Sequence, residues 1–438
     1  MSQLLKVGRF IVAIGTTSAL LVGCSNASTT DKNVQTTNAS QSSESGATDN
    51  STGSNTDSTA ANDSMNADTE SEMNGNTSQS SDMKNTDSTG NTINNTDGIN
   101  TNSTMTDSND TSPVTNGVSQ QIEGNSKTAN SLNRLLPKIQ YSTGSLSETT
   151  KKVNQATWKA SSKIDRNVGT KLQALLNWNH SGVGAVDGYW GKNTRKAMQA
   201  FQKAQGLPVT EEMNTQTWQA LTKNSSLISQ PVLVSYQLTD ADVNVKTIDI
   251  PASAEAKAKL DGMYYESVLE ALGEKFHISR DYLKSLNPSA SFKIGETIIV
   301  YNPGNPNTTP VSRVVADKST QTLYAYDDNN NLIASYPTTV GSTATPSPTG
   351  THQVKVKIHE PNYTYTDDDG KKSIIPPGPN NPVGLVWIGL SKPSYGIHGS
   401  PDPERISRQA SAGCVRLTNW DALSLLGVIE NDATVEFN

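Results

Sequence analysis

From residue 25 to residue 130 this chain contains no Phe, Tyr or Trp and is dominated by Ser, Thr, Asn, Asp and Gly in irregular order without apolar periodicity. Such a segment cannot bury enough surface to offset the entropy lost on ordering, so it reads as disordered. Folded structure is therefore expected from about residue 131 onward. The same segment holds the charge imbalance, with three Lys against fourteen Asp plus Glu, while the whole 438-residue chain carries −7. Residues 131–438 hold 30 Lys and Arg against 28 Asp and Glu, and 23 of the 24 aromatic residues. The acidity thus belongs to a tail and implies neither an acidic enzyme nor a nucleic-acid binder. The remainder is long enough for two or three domains. Two cysteines in such a length exclude a disulfide framework and any multi-cysteine zinc site, and no motif asks for a cofactor.

Ahead of the tail, Lys6 and Arg9 precede an apolar run from Phe10 to Val22. It is short for a bilayer span and of the right length for the core of a secretion signal. The run ends in Leu21-Val22-Gly23-Cys24, which resembles the lipobox of bacterial lipoproteins. That resemblance implies a signal over 1–23, cleavage before Cys24 and lipidation of that residue, anchoring the chain to a membrane. The alternative is an ordinary signal or short anchor with an incidental cysteine. Residues 24–130 would then be a linker, about 60 Å across as a flexible chain and on the order of 350 Å when fully extended. It is read either as a leash that lets folded parts work away from the membrane or as a plain spacer.

From Thr170 the text becomes globular. Leu172, Leu175 and Leu176 are helically spaced, a Gly-rich turn follows at Asp187-Gly188-Tyr189-Trp190-Gly191, and Asn193 is placed to cap a second helix. Ala197, Met198, Phe201 and Ala204 recur on one face of it, Gly206 ends it, and a third short helix carries Trp218 and Leu221. This three-helix unit over 164–224 resembles the peptidoglycan-binding domain of wall enzymes, through Asp187-Gly188, Gly191-Lys192-Asn193-Thr194, Ala200-Phe201-Gln202 and Gly206-Leu207. The resemblance implies binding of wall polymer without catalysis. Residue by residue, the same positions also serve simply to define the fold. His180, in the loop, has no partners at ligand spacing and reads as a polar surface residue.

Residues 262–302 suggest two helices, with Val268, Leu269 and Leu272 on one face and Leu283 and Leu286 on the next, then a strand from Ile298 to Tyr301. Leu286-Asn287-Pro288 and Gly295-Glu296 make this small α+β segment resemble a LysM glycan-binding module, although its usual first strand is not evident. Glycan binding and a mere spacer both remain open.

From 311 to 438 the pattern is mainly β. Val314 and Val315, Leu323 to Tyr326, Val386 to Leu390, Tyr395 to His398 and Thr434 to Phe437 read as strands, and Asp327 to Asn331 as a hairpin loop. Val354, Val356 and Ile358 alternate with Lys355 and Lys357, the period-two mark of a half-buried strand. Thr418 looks like the cap of a helix bearing Leu423, Leu426 and Ile429. Two short motifs stand out, Ile397-His398-Gly399-Ser400 and Ser411-Ala412-Gly413-Cys414-Val415-Arg416-Leu417. Their spacing permits a loop that returns His398 to Cys414. An imidazolium favours the thiolate of a neighbouring cysteine, so the pair suits nucleophilic acyl transfer. Gly413 would let the backbone approach a substrate, and N–H groups near Cys414 would hold an oxyanion. Without further context, a lone cysteine is more often a small buried hydrophobe. His352 and His359 fit neither motif.

These motifs, with Thr345-Pro346-Ser347-Pro348-Thr349-Gly350 and Pro377-Gly378-Pro379-Asn380-Asn381-Pro382 upstream, closely resemble the L,D-transpeptidase catalytic domain of the YkuD type. The resemblance implies that Cys414 attacks the third residue of a peptidoglycan tetrapeptide stem and releases D-alanine. His398 then exchanges the protons, the Gly399 carbonyl orients its ring, and an amine resolves the thioester into a cross-link. A lipoprotein lysine, a free D-amino acid or water are alternative acceptors, the last making a carboxypeptidase. A catalytically dead wall-binding lipoprotein is the reading from another class. Arg416 matches the family's arginine and meets either a substrate carboxylate or a structural partner. Ala412 stands where many members carry histidine, which puts in doubt any mechanism that needs a second one.

Overall fold

The computed structural model describes residues 120–121, 132, 134–136, 138–144, 146–343, 345–367, 369–408, 411 and 413–438. The leader, Cys24, nearly all of the 24–130 linker and Ala412 lie outside these residues. Two linker positions are described: Gln120–Gln121 (β1) pairs antiparallel with Ile358 and His359. Leu132 and Leu135, just past the expected linker, are buried in the core of the C-terminal domain.

Short polar caps set the helical region. Asp165 accepts from the Val168 N–H at 2.9 Å and opens the helix Arg166–Trp178. Leu172, Leu175 and Leu176 of that helix are fully buried. The helices Lys192–Ala204 and Thr215–Leu221 complete the unit, with Met198, Phe201 and Leu221 in the same core. Two readings change here. The N-cap of Lys192–Ala204 is Gly191, with no side-chain cap bond; Asn193 instead reaches the Ile406 carbonyl at 3.2 Å. Ala204 is exposed, because the apolar face ends one turn earlier at Phe201.

The segment after it is a strand, two one-turn helices (Asp240–Val243 and Ala254–Lys257), two longer helices and a strand. Leu233–Gln237 (β2) pairs antiparallel with Thr297–Tyr301 (β3), and the helices Val268–Lys275 and Arg280–Leu286 lie between them in sequence. The first strand thus stands about thirty residues upstream of the 262 boundary read from sequence. This segment packs on both neighbours. The His277 carbonyl accepts from the Val186 N–H at 2.9 Å, and the His277 ring stacks on Trp420 with centroids 5.0 Å apart.

The C-terminal domain is built on one mixed sheet. Its remaining strands are Val311–Asp317 (β4), Thr322–Tyr326 (β5), Leu332–Pro337 (β6), Gly350–His359 (β7), Val386–Leu390 (β10), Gly396–His398 (β11), Val415–Arg416 (β12) and Ile429–Phe437 (β13). A separate hairpin, Tyr363–Thr366 (β8) with Lys372–Ile375 (β9), stands off it. The order is β12-β11-β10-β7-β13-β4-β5-β6, with β1 on β7. The pairs β11–β12 and β13–β4 are parallel. The helix Asn419–Val428, capped by Thr418 at 3.1 Å from the Asp421 N–H, packs into the core between the strands. The expected alternation along β7 fails at Lys357, which is buried and donates from Nζ to the Ile429 carbonyl at 2.9 Å.

Candidate active site

Strand register builds the site. His398 sits opposite Trp387 on β10 and opposite Arg416 on β12, while Ile397 sits opposite Ile388 and Val415. Successive side chains alternate faces, and residues opposite one another share a face. Ile388, Ile397 and Val415 therefore point into the core with the Asn419–Val428 helix. Trp387, His398, Arg416 and Cys414, two residues before Arg416, point to the other side. Cys414 packs there with Trp387, Ile358, Tyr363, Ile375 and Met263, and the His398 ring stacks on Trp387 at 5.9 Å.

The two central residues are well covered, Cys414 being 1% exposed and His398 2%. The His398 Nδ1 is 2.7 Å from the Gly399 carbonyl oxygen. A carbonyl only accepts, so Nδ1 carries the hydrogen and Nε2 presents the lone pair. Burial, reinforced by the Arg416 cation, pushes the imidazole down to about 3, with the Gly399 bond opposing. Burial thus favours the neutral ring, and in this tautomer Nε2 is the nitrogen able to accept a proton.

Around Cys414 the backbone is tightly specified. Ser411 Oγ donates to the Cys414 carbonyl at 2.6 Å and accepts from the Gly413 N–H at 3.2 Å. That use of the Gly413 N–H leaves it engaged, so the oxyanion role expected of it has a competitor. Gly413 has φ +105°, and a Cβ there would lie 2.8 Å from the Tyr395 ring and 3.0 Å from the Pro346 carbonyl oxygen. Here the glycine answers to the Thr345–Gly350 turn and to Tyr395. The Cys414 Sγ lies 3.7 Å from the Ser394 carbonyl oxygen.

Arg416 lies beside Tyr363 and His398, and burial depresses its pKa. Its Nε is inaccessible and has no hydrogen-bond partner among the described residues. Its backbone is tied to Thr339 in both directions, at 2.9 and 3.0 Å. Sequence reasoning missed Asn419, which is fully buried. It accepts from the Leu385 N–H at 3.0 Å and donates to the Pro379 carbonyl at 3.1 Å. Its place just after the cysteine motif is a helix start, which read only as capping. Larger clefts lie away from the site: one of about 810 Å³ is lined by Trp178, His180 and Ala334, at the junction with the helical unit. His180 itself is half-buried with a depressed pKa, not the surface residue expected. No group of three or more metal-ligating side chains occurs among the described residues.

Comparison with known proteins agrees with this geometry. Residues 312–436 match the family described as the L,D-transpeptidase catalytic domain, YkuD, and residues 169–221 match a peptidoglycan binding domain. The chain is 31% identical over 170 residues to a Bacillus licheniformis protein named as an L,D-transpeptidase, YkuD, covering 38% of this chain and 91% of that one. A Bacillus subtilis protein of the same name is 30% identical over 173 residues, or 39% of this chain and 93% of its own length. A crystal structure of an Enterococcus faecium L,D-transpeptidase variant aligns at 18% identity and a TM-score of 0.24, over 33% of this chain and 56% of that one.

Proposed function

This chain belongs to the YkuD family of L,D-transpeptidases, and from that premise we propose a cysteine acyltransferase mechanism on peptidoglycan stems, centred on Cys414 and His398. It acts on the cell wall, outside the cytoplasm, with a peptidoglycan-binding unit upstream. His398 Nε2 takes the thiol proton as Cys414 Sγ attacks the carbonyl of the third stem residue. The C–N bond to D-alanine breaks, the proton leaves on the departing amine, and a thioester remains. A second stem's side-chain amine then attacks the thioester, regenerating the thiol and closing a cross-link between third residues. Gly399 holds the ring in the tautomer this sequence needs.

The observation that carries the reading is the shared sheet face of His398, Trp387, Cys414 and Arg416, with the His398 tautomer set by the Gly399 carbonyl. The unpartnered Arg416 Nε supports the substrate-carboxylate role over a structural salt bridge. Residues 233–302 serve as a glycan-holding LysM-like module. Cys24 carries the lipid that anchors the chain, with the acidic linker as its leash.

The test incubates the reduced protein with disaccharide-tetrapeptides and resolves products by mass. The expected product is a dimer lacking one D-alanine, absent with Cys414→Ala. Tripeptide alone assigns water as acceptor, and a D-amino-acid adduct assigns exchange. Turnover by Cys414→Ala equal to the wild type defeats the proposal. Mass analysis of membrane-extracted protein checks the anchor, which is lost as an explanation if the mature form carries no acyl mass at Cys24.

A further inference from the structure

The imidazole of His398 is aimed by one backbone carbonyl, so whatever fixes Gly399 also fixes the base. Gly399 lies at the exit of β11, where chain direction has most freedom. A Cβ on Gly399 would fall 2.2 Å from the Asn419 Oδ1, and one on Gly384 would fall 2.1 Å from the same atom. One amide oxygen is thus wedged between two backbone segments from opposite sides. It also accepts the Leu385 N–H at 3.0 Å, while the Asn419 Nδ2 donates to the Pro379 carbonyl at 3.1 Å. Both ends of the amide are used, and the side chain is fully buried. No rotamer freedom is left to it.

The far side of this clamp is held from outside the catalytic domain. Pro379 belongs to the loop whose next residue, Asn380, donates from Nδ2 to the Tyr264 carbonyl and to Glu270 Oε1, each at 2.9 Å. The backbones interlock as well: the Met263 N–H donates to the Pro377 carbonyl at 2.8 Å, and the Asn380 N–H to the Met263 carbonyl at 2.9 Å. Glu274, one turn beyond Glu270, also engages the Asn419 side chain. Hydrogen bonds therefore run from the helix Val268–Lys275 through Asn380, Pro379 and Asn419 to Leu385, and the Asn419 oxygen closes on Gly399 by packing contact.

We propose that Asn419 is a positioning residue, clamping the Gly399 turn so that its carbonyl holds the His398 imidazole in register with Cys414. The upstream helix Val268–Lys275 seats that clamp. The inference rests on the proposed Cys414–His398 chemistry, and it makes the module before the catalytic domain part of the active site's support.

The test uses the full-length reduced chain and three variants. Asn419→Ala removes the clamp, Asn419→Asp keeps an oxygen against Gly399 and Leu385, and Gly384→Ala crowds both the amide oxygen at 2.1 Å and the Gly399 carbonyl carbon at 2.7 Å, displacing the turn itself. Turnover on tetrapeptide is measured beside the pH dependence of Cys414 alkylation, read on its own peptide by mass spectrometry, and thermal melting verifies folding. The expected result is a kcat at least tenfold lower for Asn419→Ala and Gly384→Ala, with KM changed less than twofold and the alkylation profile displaced. Asn419→Asp is expected to fall between Asn419→Ala and the wild type. Wild-type kcat in folded Asn419→Asp and Gly384→Ala, or activity loss matching only the unfolded fraction with an unchanged alkylation profile, overturns it. If the wild type shows no turnover while its alkylation profile still depends on Asn419, the clamp stands and the transpeptidase reading falls.

Discussion

Gln173, buried in the helical unit, and Arg416, half-buried at the catalytic sheet, are both long polar side chains, and they are treated in opposite ways. Gln173 Oε1 accepts the N–H groups of Asp187 and Gly188, and its Nε2 faces Asp187 Oδ1, the Tyr189 carbonyl and Thr194 Oγ1. Gln202 likewise closes the loop at Thr210 and the helix at Thr217. Among the described residues, no inaccessible side-chain polar atom between 148 and 228 lacks a partner. The Arg416 Nε and the Asp421 Oδ2 do lack one. In the first region, buried polarity is spent on shape. In the second, desolvated groups are left unsatisfied, and one of them, Arg416, lies beside His398, where electrostatic effects are strong.

The largest effect that tests this contrast is expected at His398. His398→Gln lacks a base, so turnover should fall by about 10²- to 10⁴-fold. Its stability should move the other way in acid. The wild-type ring, held down to about 3 when folded against about 6.5 unfolded, refuses a proton that the unfolded chain accepts, so stability is lost as pH falls below about 6.5. Melting temperatures at pH 7.5 and pH 5 should show the variant gaining on the wild type at the lower pH. In the helical unit, Gln173→Ala orphans two turn N–H groups and should cost about 2–4 kcal/mol of that unit's stability. Denaturation measures the cost, while turnover per folded molecule on soluble tetrapeptide should not change. A catalytic loss there would erase the distinction between the regions.

Asp421 offers a sharper probe. Burial pushes its carboxyl up to about 7, against the bond from Thr418. The unfolded group ionises near 4, so the native state loses stability as pH rises from about 4 to about 7 and no further. Asp421→Asn removes that loss while keeping an oxygen at the capping position. Its advantage should be nil at pH 3.5 and reach about 4 kcal/mol above pH 7. A gap that does not vary with pH would mean the carboxyl is not strained by burial.

How far these regions could be read from sequence follows from how local their signals are. Leu172, Leu175, Leu176, Met198 and Phe201 announce their helices because helical partners lie three and four residues apart. Val386 to Leu390 and the Thr418 cap were equally local. The strand Leu233–Gln237 was missed because its partner lies some sixty residues away and neither neighbour demands it. The two-residue β12 has no periodicity to find, and it alone brings Cys414 beside His398. The β8–β9 hairpin had a usable signal, Asp369-Gly370, between short alternating runs. Lys357 read as solvent-facing because sequence does not reveal that the Ile429 carbonyl waits inside for its ammonium. Motif resemblance pointed to His398, Gly399 and Cys414 as reacting or orienting groups, but a supporting amide such as Asn419 carries no chemistry of its own to betray it.

Arg416 carries the smallest of these expected changes and separates the two uses of buried polarity most directly. A half-buried cation whose inaccessible Nε has no hydrogen-bond partner is costly to hold, and replacing it with an apolar side chain of similar length should leave stability unchanged or raise it by about 1 kcal/mol. If the guanidinium waits for a substrate carboxylate, Arg416→Met should raise KM about tenfold, a loss near 1.4 kcal/mol. It should also bring the His398 ring back toward its ordinary titration range, since the neighbouring cation contributes to its depression. Stability falling by several kcal/mol with KM unchanged would instead make Arg416 a structural residue, as Gln173 is in the helical unit.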